Sequence, residues 1–458
     1  MPPSPPFFPS IQPSTGNLLA EHPILSLPAA RQQLDHLQSG WTRWRDTPLA
    51  QRTSRLIAIA DTLEARAHPL ADLMADEMGK PVTQGQAEIK KCAWACRHAA
   101  ELAPATLAPQ PFPHPSLRGY SLPQPLGILL AIMPWNFPFW QFFRFAASSL
   151  VAGNAIAFKP APNVIGCANA LIDLLVSAGL PPYAVSQVPV TNETTLELID
   201  HPAIRGITLT GSARAGRIVA ARAGAALKKT VLELGGSDPY LILDDADLDL
   251  AVDACAASRM INSGQSCIAA KRFIVHISLA DPFTRRLADK LRGVTCGDPR
   301  DPATTCGPLA RADLRDQLHT QVRQSIDQGA RCLLGGELPS GPGFFYPPTL
   351  LHSVAPDMPV AAQETFGPVA SILIAEDDLD AVRLANASPY GLGAAVFSRD
   401  PRRAEHLLLQ LDAGACAANQ FVQSDPRLPF GGIKQSGYGR ELGPHGILEF
   451  TNLKTVQT

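Results

Sequence analysis

The feature that most constrains the fold is a regular alternation of strand-like and helix-like segments through the first half of the chain. Its first segment, Leu126 to Met133, is a continuous apolar run, which is typical of a parallel strand buried on both faces. The following segments alternate in the same way, with strands at 155–159, 184–190 and 206–209 and helices at 142–150, 165–178 and 193–200. This rhythm predicts an α/β fold with a doubly wound parallel sheet.

A second alternating block begins after Gly235. A strand at 240–243, a helix at 248–262 and a strand at 273–276 predict a further α/β unit there. Ahead of both blocks, apolar residues at three- and four-residue spacing from Ser54 to Glu101 predict helices, interrupted at residues 79–81 by Gly-Lys-Pro. A chain of 458 residues is long enough for two or three domains.

Charge and composition exclude several classes of function. The 39 basic and 41 acidic residues nearly cancel, and no basic run indicates binding to nucleic acid or to an anionic membrane surface. The N-terminus lacks the pattern of a signal peptide, and no run of about 18 apolar residues predicts a membrane span. Nine cysteines without paired spacing fit a reducing compartment. We therefore expect a cytoplasmic protein that holds no metal.

One cysteine stands in a segment suited to nucleophilic chemistry. Cys267 ends the sequence NSGQSC, residues 262–267, where Gly and small polar residues favour a tight turn with free backbone amides. An attacking thiolate needs access and local positive potential, and such a turn supplies both. A buried, unreactive thiol is the alternative that the hexapeptide alone leaves open.

Two further segments supply partners for this cysteine. Glu233 precedes a Gly-Gly turn in LELGGS, residues 232–237, and Asn136 lies between bulky rings and prolines in MPWNFP, residues 133–138. A carboxylate can activate water, and an amide can donate to a developing oxyanion. Nucleophile, base and oxyanion donor together indicate covalent chemistry on a carbonyl group.

These three segments resemble the aldehyde dehydrogenase superfamily, and four more follow in the family's order: FKP at 158–160, LTGS at 209–212, ETFGP at 364–368 and PFGGIKQSG at 429–437. The resemblance runs from about Trp41 to the C-terminus. It implies oxidation of a small-molecule aldehyde through a thiohemiacetal and a thioester on Cys267. Asn136 and the Cys267 N–H would form the oxyanion hole, and Glu233 would activate the hydrolytic water.

The resemblance also implies a division into domains and an assembly. It predicts a cofactor-binding domain at 1–106 and 126–234, to which the chain returns at 436–450, and a catalytic domain at 235–435. A small β element for oligomerisation would combine 107–125 with 451–458. A homodimer or a homotetramer is expected.

Cofactor binding is expected near the strand ends, although the chain lacks a Gly-x-Gly-x-x-Gly turn between a strand and a helix. Ser212 follows a strand and opens a helix, whose N-terminal amides could hold a pyrophosphate. The residues matched to the family's cofactor site are Trp135, Lys159, Gly211, Ser212, Leu234, Glu364 and Phe366. Pro162 replaces a carboxylate that in many relatives accepts hydrogen bonds from the adenosine ribose. Its loss removes a group that would repel a 2′-phosphate, so NAD and NADP both remain open.

The substrate prediction depends on Arg144, eight residues after Asn136. An arginine in an apolar tunnel wall requires an anionic partner, and the succinate-semialdehyde dehydrogenase branch resembles this chain in that spacing. Ser424 is the second predicted substrate residue. That branch carries a second arginine for the substrate carboxylate, and the corresponding position in this chain is Ile261. The second arginine contact expected from the resemblance is therefore not provided at that position. An ion pair between Arg144 and a structural carboxylate is the alternative.

Other functions remain as alternatives. A broad-range aliphatic aldehyde dehydrogenase would need no carboxylate clamp, and a coenzyme-A-acylating enzyme would not need Glu233. A cysteine hydrolase would need a histidine partner, which no motif around the eleven histidines indicates. A binding protein that retains the fold would not need the intact set of Cys267, Glu233 and Asn136.

Overall fold

The computed structural model describes residues 6–113 and 118–458. Its N-terminal part is a β-hairpin followed by four helices: β1 (Phe7–Ile11), β2 (Leu18–Pro23), α1 (Leu27–Arg45), α2 (Leu49–Ala65), α3 (Ala67–Met78) and α4 (Val82–Thr106). Helix α1 begins at Ser26, whose hydroxyl accepts from the Ala29 N–H. Helix α3 ends at Gly79 in the left-handed conformation, with φ 75°. The predicted interruption of the helices at residues 79–81 is confirmed.

Strands and helices then alternate: β3 (Gln110–Pro111), β4 (Gly119–Pro125), β5 (Ile128–Ile132), α5 (Trp140–Val151), β6 (Ala155–Lys159), α6 (Ile165–Ser177), β7 (Val185–Gln187), α7 (Asn192–Ile199), β8 (Ile204–Thr210), α8 (Ala213–Ala225) and β9 (Lys229–Glu233). Every residue of β6 is buried. Helix α5 is buried along its whole length, because it packs under the sheet, with Phe142 against Phe158 at 4.9 Å between ring centroids.

The remaining elements form the second α/β unit and the C-terminus: β10 (Pro239–Ile242), α9 (Leu248–Met260), β11 (Arg272–His276), α10 (Ala280–Arg292), α11 (Ala312–Asp327), β12 (Arg331–Leu334), β13 (Thr349–His352), α12 (Pro359–Ala362), β14 (Val369–Ala375), α13 (Asp378–Asn386), β15 (Tyr390–Gly391), β16 (Gly393–Phe397), α14 (Pro401–Leu408), β17 (Ala415–Ala418), β18 (Ile433–Lys434), β19 (Gly437–Tyr438), α15 (Gly443–Glu449) and β20 (Thr451–Gln457).

The first large sheet is doubly wound, as predicted. Its order is β19-β9-β8-β5-β6-β7, and the strands from β9 to β7 are parallel. The chain moves outward from β5 through β6 to β7, then crosses to the other side of β5 for β8 and β9. The strand order therefore reverses between β5 and β8, and ligands of such sheets bind at the carboxyl ends of the strands at this point.

The second large sheet has the order β12-β13-β14-β11-β10-β16-β17, and only β12 pairs antiparallel. The α/β class is thus confirmed for both halves of the chain. Within the described ranges, every helix is too short or too polar to cross a bilayer.

A third sheet, β20-β4-β3, is antiparallel and pairs the C-terminal strand with residues 119–125. It brings together two segments of the predicted oligomerisation element, whose role in assembly stays a prediction, as do the domain bounds. The first five residues of the predicted cofactor-binding domain and residues 114–117 of the predicted oligomerisation element lie outside the described residues.

Candidate active site

The turn before Cys267 has an unusual backbone. Asn262 and Ser263 have φ of 53° and 55°, and Gly264 follows with φ 77°. Left-handed residues other than glycine cost on the order of 1–2 kcal/mol each, so surrounding contacts must hold this turn. A Cβ at Gly264 would overlap the carbonyl group of Gly367, which is why glycine is required there. The predicted tight turn is present.

Hydrogen bonds hold the turn against the segment that carries Asn136. The Asn262 amide donates to the Asn136 carbonyl at 2.7 Å, and the Asn136 amide donates to the Gln265 carbonyl at 3.0 Å. The Ser263 hydroxyl accepts from the Gly307 N–H at 2.9 Å. One N–H of the Asn136 amide is used in this way, and the second remains for a ligand.

Cys267 lies where two cavities meet. The first, here called the inner cavity, has a volume of about 350 Å³, and its walls include Phe137, Trp140 and Ile268. The second, here called the crevice cavity, has about 240 Å³ and lies beyond the carboxyl ends of β5 and β8. Cys267 and Gln141 line both cavities. A group bound in either cavity would therefore reach the same sulfur atom.

The Cys267 thiol is protonated at neutral pH in this arrangement. Burial raises the pKa of the thiol to about 11, and the cations of Arg144 and Lys271 only partly oppose that shift. Lys271 is held close because its ammonium group donates to the carbonyl oxygen of Cys267 at 2.6 Å. Attack on a carbonyl would thus require the proton to leave as the bond forms.

Glu233 occupies the end of β9, behind the cavities. Its side chain is buried, and Oε1 has no hydrogen-bond partner among the described residues. Burial raises the pKa of this carboxyl well above its usual range, Arg144 lowers it, and Glu441 raises it further. Glu233 is not among the described residues that line the two cavities. To activate a water molecule at Cys267, the Glu233 carboxyl group must therefore either move toward the cavities or exchange a proton through an intervening group.

Arg144 has, in the structure, the kind of carboxylate partner that the sequence left open as the alternative. Arg144 does line the inner cavity, but its guanidinium forms a buried ion pair with Glu441 and donates to Thr210 Oγ1 at 3.2 Å. Its carbon atom also lies 4.7 Å from the ring centroid of Phe430. The anionic partner that an arginine in an apolar wall requires is therefore a structural carboxylate, and substrate need not supply it.

Six of the seven residues predicted to bind the cofactor surround the crevice cavity. Trp135, Gly211, Ser212, Leu234, Glu364 and Phe366 line its walls. The Trp135 and Phe366 rings meet edge to face at 5.6 Å between centroids. Lys159 is the exception: it ends β6, is buried, and donates to Asn192 Oδ1 at 3.3 Å. Burial lowers the pKa of Lys159 to about 8.

The first turn of α8 can receive an anion. Ser212 caps the helix by accepting from the Ala215 N–H at 3.2 Å, and a Cβ at Gly211 would meet only the Leu209 side chain, at 3.8 Å. On the far wall, Glu364 accepts from the Gly236 N–H at 3.0 Å. A Cβ at Gly235 would overlap the Glu364 carboxylate, so the Gly-Gly turn lets this carboxylate approach. These amides and carboxylates suit phosphate and ribose groups.

Lys91 and Ser424 form a hydrogen-bonded pair in the wall of the inner cavity, and the sequence predicted only Ser424. Ser424 was predicted, and its hydroxyl accepts from the ammonium group of Lys91 at 2.9 Å. Lys91 Nζ also lies 4.4 Å from the Trp140 ring centroid. Lys91, Gln141 and Glu441 were not predicted. Lys91 is remote in sequence from every motif. Gln141 and Glu441 follow the motifs at 133–138 and 429–437, but neither motif includes them.

Comparison with known proteins agrees with this geometry. A profile described as the aldehyde dehydrogenase family matches residues 2–456. The NAD(P)+ succinate semialdehyde dehydrogenase Sad of Escherichia coli is 44% identical over 447 residues, covering 98% of this chain and 97% of that protein. A probable NADP+ succinate-semialdehyde dehydrogenase of a Synechocystis species is 45% identical over 447 residues, covering 98% of each. The structure of succinic semialdehyde dehydrogenase from Streptococcus pyogenes with NADP+ has a TM-score of 0.96 at 34% identity, covering 98% of this chain and 99% of that one.

Proposed function

We propose that this chain, which belongs to the aldehyde dehydrogenase family, oxidises succinate semialdehyde to succinate with NAD or NADP as the electron acceptor. The observation that carries the proposal is the position of Cys267 at the junction of the inner cavity and the crevice cavity. An aldehyde in the first and a nicotinamide in the second would both lie against the sulfur. Relatives whose names specify this substrate match nearly the whole chain.

In the proposed mechanism, the Cys267 sulfur adds to the aldehyde carbon as the thiol releases its proton to solvent water. The resulting oxyanion accepts from the free N–H of the Asn136 amide and from the Cys267 N–H, and such donors are typically worth about 3 kcal/mol each. Bound nicotinamide supplies the acceptor for the hydride that leaves this carbon. The thioester that remains is hydrolysed by a water molecule activated by Glu233, which releases the acid and restores the thiol.

The walls of the crevice cavity fit the proposed cofactor. The α8 amides behind Ser212 would hold the pyrophosphate, Glu364 would accept from a ribose, and Phe366 with Trp135 would pack against the nicotinamide. Lys159, at the end of β6, would reach the adenosine ribose only after leaving Asn192. Pro162 is exposed beside this strand and presents no charge to a 2′-phosphate, so we propose that both cofactors are used.

Assembly and location extend the proposal. Strand β20 lies at the edge of the β20-β4-β3 sheet and leaves Leu453 65% exposed, and the unpaired backbone groups of an edge strand favour contact with another subunit. We propose a homodimer or a homotetramer built through this sheet. All nine cysteines are free thiols, which supports a reducing, cytoplasmic location.

The proposal is tested by the absorbance of reduced nicotinamide with a panel of aldehydes and both cofactors. We expect succinate semialdehyde to exceed butanal in kcat/KM by at least about tenfold, which is about 1.4 kcal/mol. Equal efficiencies for the two aldehydes would favour a broad-range aliphatic aldehyde dehydrogenase instead. No reduced cofactor with any aldehyde would contradict the proposal as a whole.

A further inference from the structure

We propose that Lys91, together with the hydroxyl group of Ser424, binds the carboxylate of the substrate at the outer end of the inner cavity. This inference rests on the proposed function, because it names the residue that would distinguish succinate semialdehyde from an uncharged aldehyde. Arg144, the residue that the sequence predicts for this task, is already paired with Glu441.

The position of Lys91 suits this role. Lys91 extends from α4 and lines both the inner cavity and a wider groove of about 710 Å³ that lies outside it. Ser424 lines the same two spaces. The bond between them, 2.9 Å long, thus lies where the groove adjoins the cavity that contains Cys267.

The charge of Lys91 has no acidic partner in contact. Within the part of the chain that the structure describes, no carboxylate oxygen lies within 4 Å of its Nζ, and its contacts are the Ser424 hydroxyl and the Trp140 ring. Three other buried cations near the site have acidic partners: Lys80 with Glu88, Arg144 with Glu441, and Lys271 with Glu364 at 4.0 Å. Two more use neutral oxygens, since Arg259 donates to the Gly264 carbonyl at 2.6 Å and Lys159 donates to Asn192. A half-buried ammonium without an acid partner is costly, and an anionic ligand would relieve that cost.

The chemistry of the pair matches a carboxylate. The Ser424 hydroxyl now accepts from Lys91, which leaves its own hydrogen free to donate. A carboxylate placed between them would accept one charge-assisted bond from the ammonium and one bond from the hydroxyl. The face of Trp140 would continue to support the ammonium from the other side. An aldehyde carboxylated at its far end would then point its carbonyl carbon into the cavity toward Cys267.

The electrostatic surroundings give this binding a pH dependence. Burial lowers the pKa of Lys91 to about 8, Arg144 lowers it further, and Cys92, Asp425 and Glu88 raise it. Lys91 is therefore charged below about pH 8 and loses its proton above it. Recognition of a carboxylate should be full below that pH and decline as the pH rises through it. An uncharged aldehyde should not follow this curve.

The test compares Lys91→Met, Lys91→Arg and the matched control Lys90→Met, which removes the same charge from the exposed neighbouring position on α4, a position that lines the outer groove but not the inner cavity. The quantity measured is the ratio of kcat/KM for succinate semialdehyde to kcat/KM for butanal. We expect Lys91→Met to lower the ratio by about 10- to 100-fold, the usual value of a hydrogen bond to a charged group. Most of the loss should appear in KM. Lys91→Arg should retain part of the ratio, and Lys90→Met should retain all of it.

The pH profile supplies a second readout, which a merely structural role would not move. In the wild type the ratio should fall above about pH 8, and in Lys91→Met it should be flat. A ratio in Lys91→Met that stays within about twofold of the wild type would overturn the inference while the proposed function stands. A wild-type ratio near one would instead contradict the proposed substrate.

Discussion

At the scale of single residues, burial has raised the pKa of Glu233 well above its usual range and the pKa of Cys267 to about 11, so the Cys267 thiol retains its proton at neutral pH. The sequence motifs identify these residues but not the shifts of their pKa values, since those depend on burial and on Arg144, Glu364 and Glu441, which distant segments bring to the site. The resting site thus holds Cys267 as a thiol, which loses its proton as the carbon–sulfur bond forms. A protonated thiol is less susceptible to oxidation than a thiolate.

The state of the thiol is testable by alkylation of the cofactor-free protein. Because burial raises the pKa of Cys267 to about 11, the thiolate fraction should increase tenfold for each pH unit below that value. The rate of carbamidomethylation at Cys267, followed by peptide mass spectrometry, should therefore still rise between pH 7 and about pH 9. Following Cys267 by its own peptide separates it from the exposed Cys296, Cys332 and Cys416. A rate that levels off below pH 8 would show that the resting thiol is already ionised.

At the scale of elements, the Asn136 segment is fixed by a buried carboxylate on α4. Glu88 Oε1 accepts from the N–H groups of Phe139 and Trp140 at 3.0 and 2.8 Å, and Oε2 accepts from Lys80. The Lys80 ammonium in turn lies 3.7 Å from the Phe137 ring centroid. One carboxylate thereby holds the first turn of α5 and the loop that carries the candidate oxyanion donor.

Removal of this carboxylate should destabilise the protein strongly. Glu88→Ala would leave the buried Lys80 without its counter-charge, and breaking such a pair typically costs about 3–5 kcal/mol of unfolding free energy. Urea denaturation followed by circular dichroism measures the loss. The control is Asp61→Ala, which breaks an exposed pair with Arg97 and should change stability little. Equal effects of the two substitutions would show that Glu88 does not hold the segment.

The elements that sequence predicts well here are those whose own residues decide their structure. Strand β5 is a run of apolar residues, and Ser212 is a typical N-cap residue for α8, so both elements could be located from the sequence. The two-residue strands β15, β18 and β19 could not, because only the pairing of distant segments defines them. The same limit applied at the site, where the partner of Arg144 lies 297 residues away and the Lys91–Ser424 bond joins residues 333 apart.

At the scale of the whole molecule, the two large sheets and the small antiparallel sheet have different roles: the large sheets position the cavities, and the small sheet presents a separate edge strand. The doubly wound sheet places its crevice at the β5–β8 junction, and the second α/β unit presents Cys267 to it. Among the described residues, those of the third sheet line neither cavity, so its edge strand β20 is available for assembly. The apolar residue with the largest exposure in β20 is Leu453.

Assembly should therefore depend on the face of β20. Analytical ultracentrifugation should give a mass that is two or four times 48.8 kDa, and Leu453→Asp should shift the protein toward the monomer. The matched control is Leu409→Asp, at a position 83% exposed that lies outside the third sheet, and it should leave the mass unchanged. A wild-type monomer, or an equal effect of both substitutions, would contradict assembly through β20.

The most direct test of the whole account is to trap the covalent intermediate on Cys267. In Glu233→Gln the water-activating carboxylate is absent, so succinate semialdehyde with NAD or NADP should release about one reduced cofactor per active site and then stall. Peptide mass spectrometry should find a succinyl thioester on Cys267, and only when cofactor is present. Cys267→Ala should give neither burst nor adduct. A burst without an adduct, an adduct on another residue, or undiminished turnover of Glu233→Gln would contradict the account.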